Sequence, residues 1–292
     1  MKAFVDIAIP AVVFFMMTVV GLELTIDNFK RVLHRPKIML TATLGQFLIL
    51  PLVAVGLVQV LPIKPYIAAG ILLIAACPGG AVSNYYTYLA KANTALSVSL
   101  TALSCLTAFV MMPIVLKGME WYLGEFGGIQ IPAAAMISEL LKMLLLPILL
   151  GMTIRYLKPE VNTQYGRLLK RLTLLALIAL IAGIIWKSAA IFLSTIADTA
   201  LASLAFAIVS MLLGLGLGRL CRLNAHDRFA LLIEFAVRNV AIAIVIAVSV
   251  LQRVEFAVFG IAYFLAQVPL ILLVIALFRA RRSSLRRKMV SV

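Results

Sequence analysis

Apolar residues run through this chain in long blocks. Stretches of about 20 or more mainly apolar residues recur at 3–22, 38–61, 66–90, 94–116, 132–156, 168–187, 197–219, 228–251 and 256–278, each long enough to cross a bilayer as a helix. Short links, mostly basic, separate them, and no Pro/Ser/Gly-rich linker divides the chain. The pattern predicts an all-α membrane protein of about nine transmembrane helices. Residues 1–292 form one transmembrane domain, and 279–292 form a basic tail.

Composition agrees. The chain is 64% hydrophobic and 13% charged, with mean hydropathy +1.13, which is more apolar surface than a soluble chain hides. A formal charge of +15 would ordinarily suggest a nucleic-acid partner, but the positions of the charges argue against one. Nineteen of the 26 Lys and Arg fall in the links after spans one, three, five and seven and in the tail. Five fall on the other side (Lys2, Lys64, Lys117, Lys187 and Arg253). Basic residues mark cytoplasmic links. The N-terminus is therefore expected outside and the C-terminus in the cytoplasm, in an inner or plasma membrane, which requires an odd number of spans. The first span carries Asp6, lacks a small-x-small cleavage site and reads as a retained helix. Cys77, Cys105 and Cys221 form no CxxC or CxH pattern, so neither a disulfide nor a zinc site is expected.

Two spans carry what an inert helix would not need. The third holds Cys77-Pro78-Gly79-Gly80-Ala81-Val82-Ser83-Asn84 at mid-length. Proline removes a backbone donor and the glycines tolerate unusual dihedrals, which predicts two half-helices with an unwound crossing. A simple proline kink is the alternative. Unwound backbone is tolerated in hydrocarbon only where protein or a polar cavity satisfies it. The eighth holds Glu234-Phe235-Ala236-Val237-Arg238-Asn239, and each central charge costs about 2.5–3.5 kcal/mol on insertion scales. Glu234 and Arg238 stand four apart and would pair on a continuous helix. The two interruptions lie about 40 residues after the starts of spans two and seven, which run in opposite directions; that is the spacing of an inverted-topology repeat. Ser97, Thr101 and Ser104 form a hydroxyl stripe on one face of span four, open to a reading as interhelical hydrogen bonds. Gln46 is a further amide within a span, and Glu139 and Lys142 are spaced to pair.

An enzyme is disfavoured. GxSxG, HExxH and His/Cys clusters are absent, and His34 and His226 fall in links. Gly214, Gly216 and Gly218 lie inside an apolar helix with no preceding strand, as a packing motif would.

The motifs resemble the bile acid:sodium symporter family. They are Gly21-Leu22-Glu23-Leu24-Thr25, His34-Arg35-Pro36-Lys37, Gln46 ahead of Pro51, the run from Cys77 to Ser104, Lys142 to Gly151, and Glu234 to Ile244, in order over residues 8–280. The resemblance implies a nine-span transporter with a panel (spans one, five and six) and a core (spans two to four and seven to nine). Two broken helices cross in the core beside sodium and an organic anion, and access alternates as core moves against panel. It implies a sodium site at Ser83, Asn84, Ser97, Thr101 and Glu234. A second would use Gln46, Glu234, Phe235, Val237 and a glutamine, but Arg238 stands in the glutamine's place. Arginine has five donors and no acceptor. We expect it to pair with Glu234 and to replace the second ion as a tethered charge, leaving one sodium. The alternative is a sodium-independent or proton-coupled transporter or uniporter of the same fold. Gly80, Ala81, Asn239 and Gln267 are the implied lining for a small carboxylate-bearing solute. The bilayer is the other partner, and neither nucleic acid nor an obligate protein partner is called for.

Overall fold

The computed structural model describes residues 7–123 and 130–290; Lys2, Asp6, the start of the first expected span and the end of the tail lie outside them. Among the described residues the chain is helical throughout. The order is α1 (Ile9–Glu23), α2 (Ile26–His34), α3 (Pro36–Leu44), a π-helical turn (Gly45–Ile49), α4 (Leu50–Val60), α5 (Pro65–Ala76), α6 (Val82–Leu89), α7 (Thr94–Leu123) and α8 (Ala133–Leu140). A second π-helical turn (Leu141–Leu145), α9 (Leu146–Leu157), α10 (Glu160–Lys187), α11 (Ala189–Leu220), α12 (Ala225–Ala236), α13 (Val240–Val245), a third π-helical turn (Ile246–Val250) and α14 (Val254–Val290) follow.

Proline placement explains much of this segmentation. Pro36 and Pro65 open helices at their first turn, where the missing N–H costs nothing. Pro51 and Pro147 stand inside otherwise continuous spans. In each case the residue four earlier, Phe47 or Met143, lies in a π-helical turn. The wider turn accommodates a ring that would clash with the carbonyl of residue i−4 in a regular helix.

Among the described residues six helices are long and apolar enough to cross a membrane: Pro36–Val60, Thr94–Tyr122, Ala133–Leu157, Glu160–Lys187, Phe192–Leu220 and Val254–Arg281. Three shorter apolar helices, Ile9–Glu23, Pro65–Ala76 and Val240–Val250, lie in the expected first, third and eighth spans. Several boundaries differ from the apolar blocks. α10 begins at Glu160 rather than 168, α11 at Ala189 rather than 197, and α14 runs on to Val290. Backbone hydrogen bonding continues a helix past the point where its side chains turn polar, so apolarity marks the lipid-facing length and not the helix. The link 26–34 is itself a helix, α2, whose start is fixed by Asn28 Oδ1 accepting from Thr25 N (2.7 Å) and Thr25 Oγ1 (2.8 Å).

Large apolar side chains such as Leu52, Leu175, Leu193 and Leu201 are exposed. Such an outer surface is stable only against lipid. Tyr156, Trp186 and Trp121 stand exposed near helix ends, where aromatic rings meet the headgroup region. The chain is an integral, multi-pass membrane protein.

The helices pack as two groups. α1 lies on α9 and α10, while α4, α5, α7, α11, α12 and α14 pack among themselves; the groups meet where α1 touches α13, where α8 packs on α7, and where α10 touches α11 and α14. The α1–α9 contact is made by bare backbone. A Cβ on Gly151 would run into Thr18 O, and one on Gly21 into Ile148 O. Small residues let membrane helices approach this closely. Arg155 donates to Leu22 O at 2.7 Å and Lys170 pairs with Glu23 at 3.1 Å, closing the same group at one end. Gly151→Val is expected to destabilise the purified protein by about 1–3 kcal/mol through overpacking. Gly216→Ala, where a Cβ meets nothing within 4 Å, should leave the thermal midpoint unchanged or raised.

Candidate functional site

Cys77 leaves α5 in an extended conformation (φ −64°, ψ 153°), Pro78 cannot continue the helix, and α6 resumes at Val82. Across from it, α12 ends at Ala236 and α13 begins at Val240, with Val237 extended (φ −93°, ψ 96°). No glycine or proline marks this second break. Asn239 makes it, because its Oδ1 accepts from Ile242 N (3.2 Å) and so starts a new helix as an N-cap.

The two breaks satisfy each other. Gly80 N donates to Val237 O at 2.8 Å and Asn239 N donates to Pro78 O at 2.9 Å, pairing Gly79 antiparallel with Arg238. Glycine is required on the first strand of the crossing. A Cβ on Gly80 would sit 2.8 Å from Arg238 O, and one on Gly79 would strike the Glu234 carboxylate. Tyr263 on α14 donates to Ala236 O, holding one carbonyl at the end of α12.

Beside the crossing, Glu234 is fully buried at the end of α12. Its Oε2 accepts from Ser83 Oγ (2.7 Å) and Ser97 Oγ (3.0 Å), and its Oε1 from Thr101 Oγ1 (2.8 Å). Asn84 Oδ1 lies 3.0 Å from Ser97 Oγ and 3.4 Å from Thr101 Oγ1, a second acceptor for the single proton that each hydroxyl directs at Glu234. All five residues expected at the first cation site therefore meet in one buried cluster, drawn from α6, α7 and α12. The set comprises one carboxylate, three hydroxyls and one amide oxygen, and hard cations take oxygen ligands. Ser104, the third member of the hydroxyl stripe, is used otherwise: it accepts from Gly79 N (3.2 Å) and donates to Thr101 O (3.0 Å), bracing the break.

Arg238 overturns one expectation. It forms no ion pair with Glu234. Its Nη2 instead donates to Cys77 O and to Ala75 O (3.3 Å), the carbonyls at the end of α5. The helix break between Ala236 and Val240 removes the i,i+4 geometry that would have aligned the pair. The carbonyl end of a half-helix carries partial negative charge and attracts a cation. Nε and Nη1 of Arg238 have no hydrogen-bond partner, nor do the two amide atoms of fully buried Gln46 on its π-helical turn. Val237 O is engaged by Gly80, and Phe235 packs its ring where a Cβ on Gly45 would come. The second expected set is thus not drawn together by hydrogen bonds.

Of the expected solute-lining residues, Gly80 and Asn239 lie in the crossing and Ala81 follows it. Asn239 Nδ2 points at Met17 Sδ of α1 (3.6 Å), where the two helix groups touch. Gln267 on α14 is buried with both amide atoms unpartnered. Glu139 and Lys142 pair at 3.8 Å. One cluster went unnoticed in the sequence. Asp227, 2% exposed in the first turn of α12, accepts from Arg35 Nη1 (2.9 Å) and Asn93 Nδ2 (2.6 Å). It ties α12 to the α2–α3 junction and to the turn before α7. An acidic residue after an Asn N-cap was the available signal: Asn224 Oδ1 accepts from His226 N and Asp227 N.

Broken helices that cross inside a membrane beside a buried oxygen cluster define a class of membrane transporters rather than a soluble binding protein or an enzyme. The Sodium Bile acid symporter family profile matches residues 10–196, and the chain belongs to that family. An uncharacterized sodium-dependent transporter of Bacillus subtilis, YocS, is 29% identical over 252 residues, covering 82% of this chain and 74% of that one. A probable sodium/metabolite cotransporter of Arabidopsis thaliana, BASS1, chloroplastic, is 29% identical over 235 residues, 78% of this chain and 55% of its own length. The human ileal sodium/bile acid cotransporter is 32% identical over 172 residues, 58% of this chain and 49% of its own. The chain thus spans about half the length of the plant and human relatives.

Removing the Asp227 charge strands Arg35 and Asn93 together. Asp227→Asn should cost about 1–3 kcal/mol. Arg35→Gln should cost less than Asp227→Asn, because Arg35 is 54% exposed and its charge rehydrates. Thermal melting of the two single variants and the double variant measures both the order and the coupling.

Proposed function

We propose that this protein is a secondary active transporter that moves a small organic anion together with one sodium ion by alternating access. The observation that carries the reading is the buried cluster of Ser83, Asn84, Ser97, Thr101 and Glu234 against the crossing. Hydroxyls that now donate to the carboxylate can turn their lone pairs to a cation, so the same five residues that satisfy one another hold sodium as cargo. Arg238 takes the place of a second ion. Because it caps α5 and leaves Glu234 to the hydroxyls, the first site keeps its carboxylate, which favours one sodium over none.

The solute lies at the crossing, between Asn239 on the core and Met17 on the panel, with Gly80 and Ala81 beside it and Gln267 contributing from α14. The α6 and α13 half-helices offer N-terminal N–H groups and a positive dipole end to a carboxylate. The packing of α1 on α9 and α10 supports spans one, five and six, with α8 leading into α9, as the panel and the other spans as the core. Counting α1 and the two interrupted segments as spans beside the six long helices gives nine, with the halves related as an inverted repeat, the N-terminus outside and the C-terminus in the cytoplasm.

Relatives named for bile acid and for unspecified metabolites make taurocholate and small monocarboxylates reasonable probes. In proteoliposomes, an inward sodium gradient should drive uptake with a Hill coefficient for sodium near one; a value near two would refute the single-ion reading. Thr101→Val should weaken apparent sodium affinity about tenfold, the loss of one charge-facing hydroxyl. Glu234→Gln should abolish sodium-dependent uptake. Uptake that persists unchanged when choline replaces sodium would favour the uniporter.

A further inference from the structure

Three acidic or basic residues are buried among the described residues: Asp227, Glu234 and Arg238. Asp227 is matched at once by Arg35. The remaining two are opposite in sign, four residues apart, and held separately. Glu234 is turned to three hydroxyls on α6 and α7. Arg238 is turned the other way, to the carbonyls ending α5, with Nε and Nη1 unpartnered. A buried ion pair normally closes on itself, because two separated charges in a low dielectric forfeit their mutual attraction. Here each charge is committed to its own set of backbone or hydroxyl groups, and the sum at the crossing is zero.

That sum decides which loaded states the membrane tolerates. Resting on the symport reading above, we propose that the crossing is a charge-balanced carrier: neutral when empty, neutral again with one sodium ion and one monovalent organic anion, and costly in every other state. A cation alone at Glu234 leaves Arg238 as an unbalanced buried charge. An anion alone leaves Glu234 unbalanced. Desolvation penalises both half-loaded states, and each ligand lowers the cost of admitting the other without touching it. Such reciprocity is what coupling between two sites requires. The open donors of Arg238 direct the compensating anion to its side of the crossing. A dianion overshoots the balance, so the solute class is narrowed to single-charge acids, and transport moves no net charge across the bilayer.

The contrast with a crossing that lacks the arginine is direct. With Gln at 238 the empty site carries one negative charge, and a monovalent anion is balanced only by two cations. Arg238→Gln should therefore change both ion count and voltage response, while Arg238→Lys, which keeps the charge and loses the fork, should change neither.

Two measurements test this. The first needs no solute: the thermal midpoint of purified protein is titrated with sodium chloride, choline chloride holding ionic strength. With no solute present all three forms should follow single-site curves, wild type and Arg238→Lys at a higher sodium midpoint than Arg238→Gln, whose empty site carries an uncompensated negative charge; a wild-type midpoint at or below that of Arg238→Gln, or a sigmoidal wild-type curve, overturns the proposal. The second follows sodium-driven uptake of radiolabelled taurocholate and pyruvate, a large and a small monovalent anion, into proteoliposomes with valinomycin and a tenfold potassium gradient. Each elementary charge moved would change accumulation about tenfold. Wild-type accumulation should stay within about twofold of the value without the potassium gradient, and a tenfold change overturns charge balance while leaving symport intact. If neither anion is taken up with sodium, the symport reading itself fails. If Arg238→Gln does not fold, the wild-type measurements still decide.

Discussion

The structure depends on one exchange of backbone hydrogen bonds, Gly80 N to Val237 O and Asn239 N to Pro78 O. In hydrocarbon an unpaired peptide group has no water to turn to. A helix that breaks there must find its missing partners in protein, and a second break at the same depth supplies them. Each interruption is therefore the condition for the other. This pairing places Glu234 next to α6 and α7, forbids a side chain at Gly79, and brings the start of α13 against Met17. The oxygen cluster follows from the crossing.

The first break was legible because its residues are specialised for it. Pro78 cannot donate, and Gly79 and Gly80 leave space that a Cβ would fill with Glu234 or Arg238 O. The hydroxyl stripe was legible for a different reason: Ser97, Thr101 and Ser104 repeat at helical spacing in an apolar segment where polar groups are expensive. The second break was marked only by charge. Val237 and Asn239 carry no intrinsic preference strong enough to predict an end and a restart three residues apart, and Asn239 acts as a cap because the chain opposite has already opened. Periodicity also could not show that Ser104 braces the backbone while Ser97 and Thr101 face the carboxylate. That division depends on which α7 face meets Gly79, a tertiary fact.

Arg238 shows where extrapolation along the sequence fails. On a continuous helix Glu234 and Arg238 share a face, and i,i+4 spacing predicts a pair. The break turns the guanidinium toward α5, where carbonyls that have lost their helical donors accept from it, while the carboxylate is engaged by three hydroxyls. Asp227 makes the complementary point. Its spacing from Arg35 and Asn93 is too long for any local pattern, so only the fold reveals that α12 is anchored at one end by Asp227 and carries Glu234 in the oxygen cluster at the other.

A site assembled this way is stiff within one helix group and soft between the two. Glu234, Ser83, Ser97 and Thr101 all belong to elements of the larger group, and Asp227 ties the far end of the same helix to that group as well. The smaller group is stiffened separately by bare glycine backbone at Gly21 and Gly151 and by the Arg155 and Lys170 contacts. Between them, at the crossing, Asn239 finds only a thioether, a weak acceptor. Strong bonds inside each body and only a weak one at the crossing leave the oxygen cluster intact if the bodies shift there, while Ile131 N, donating to Glu120 Oε2 at 2.8 Å, keeps α7 joined to the start of α8 at one end. On the transport reading proposed above, a carboxylate oxygen arriving at Asn239 would be a better acceptor than the sulfur it replaces, so solute binding and separation of the two bodies would favour each other.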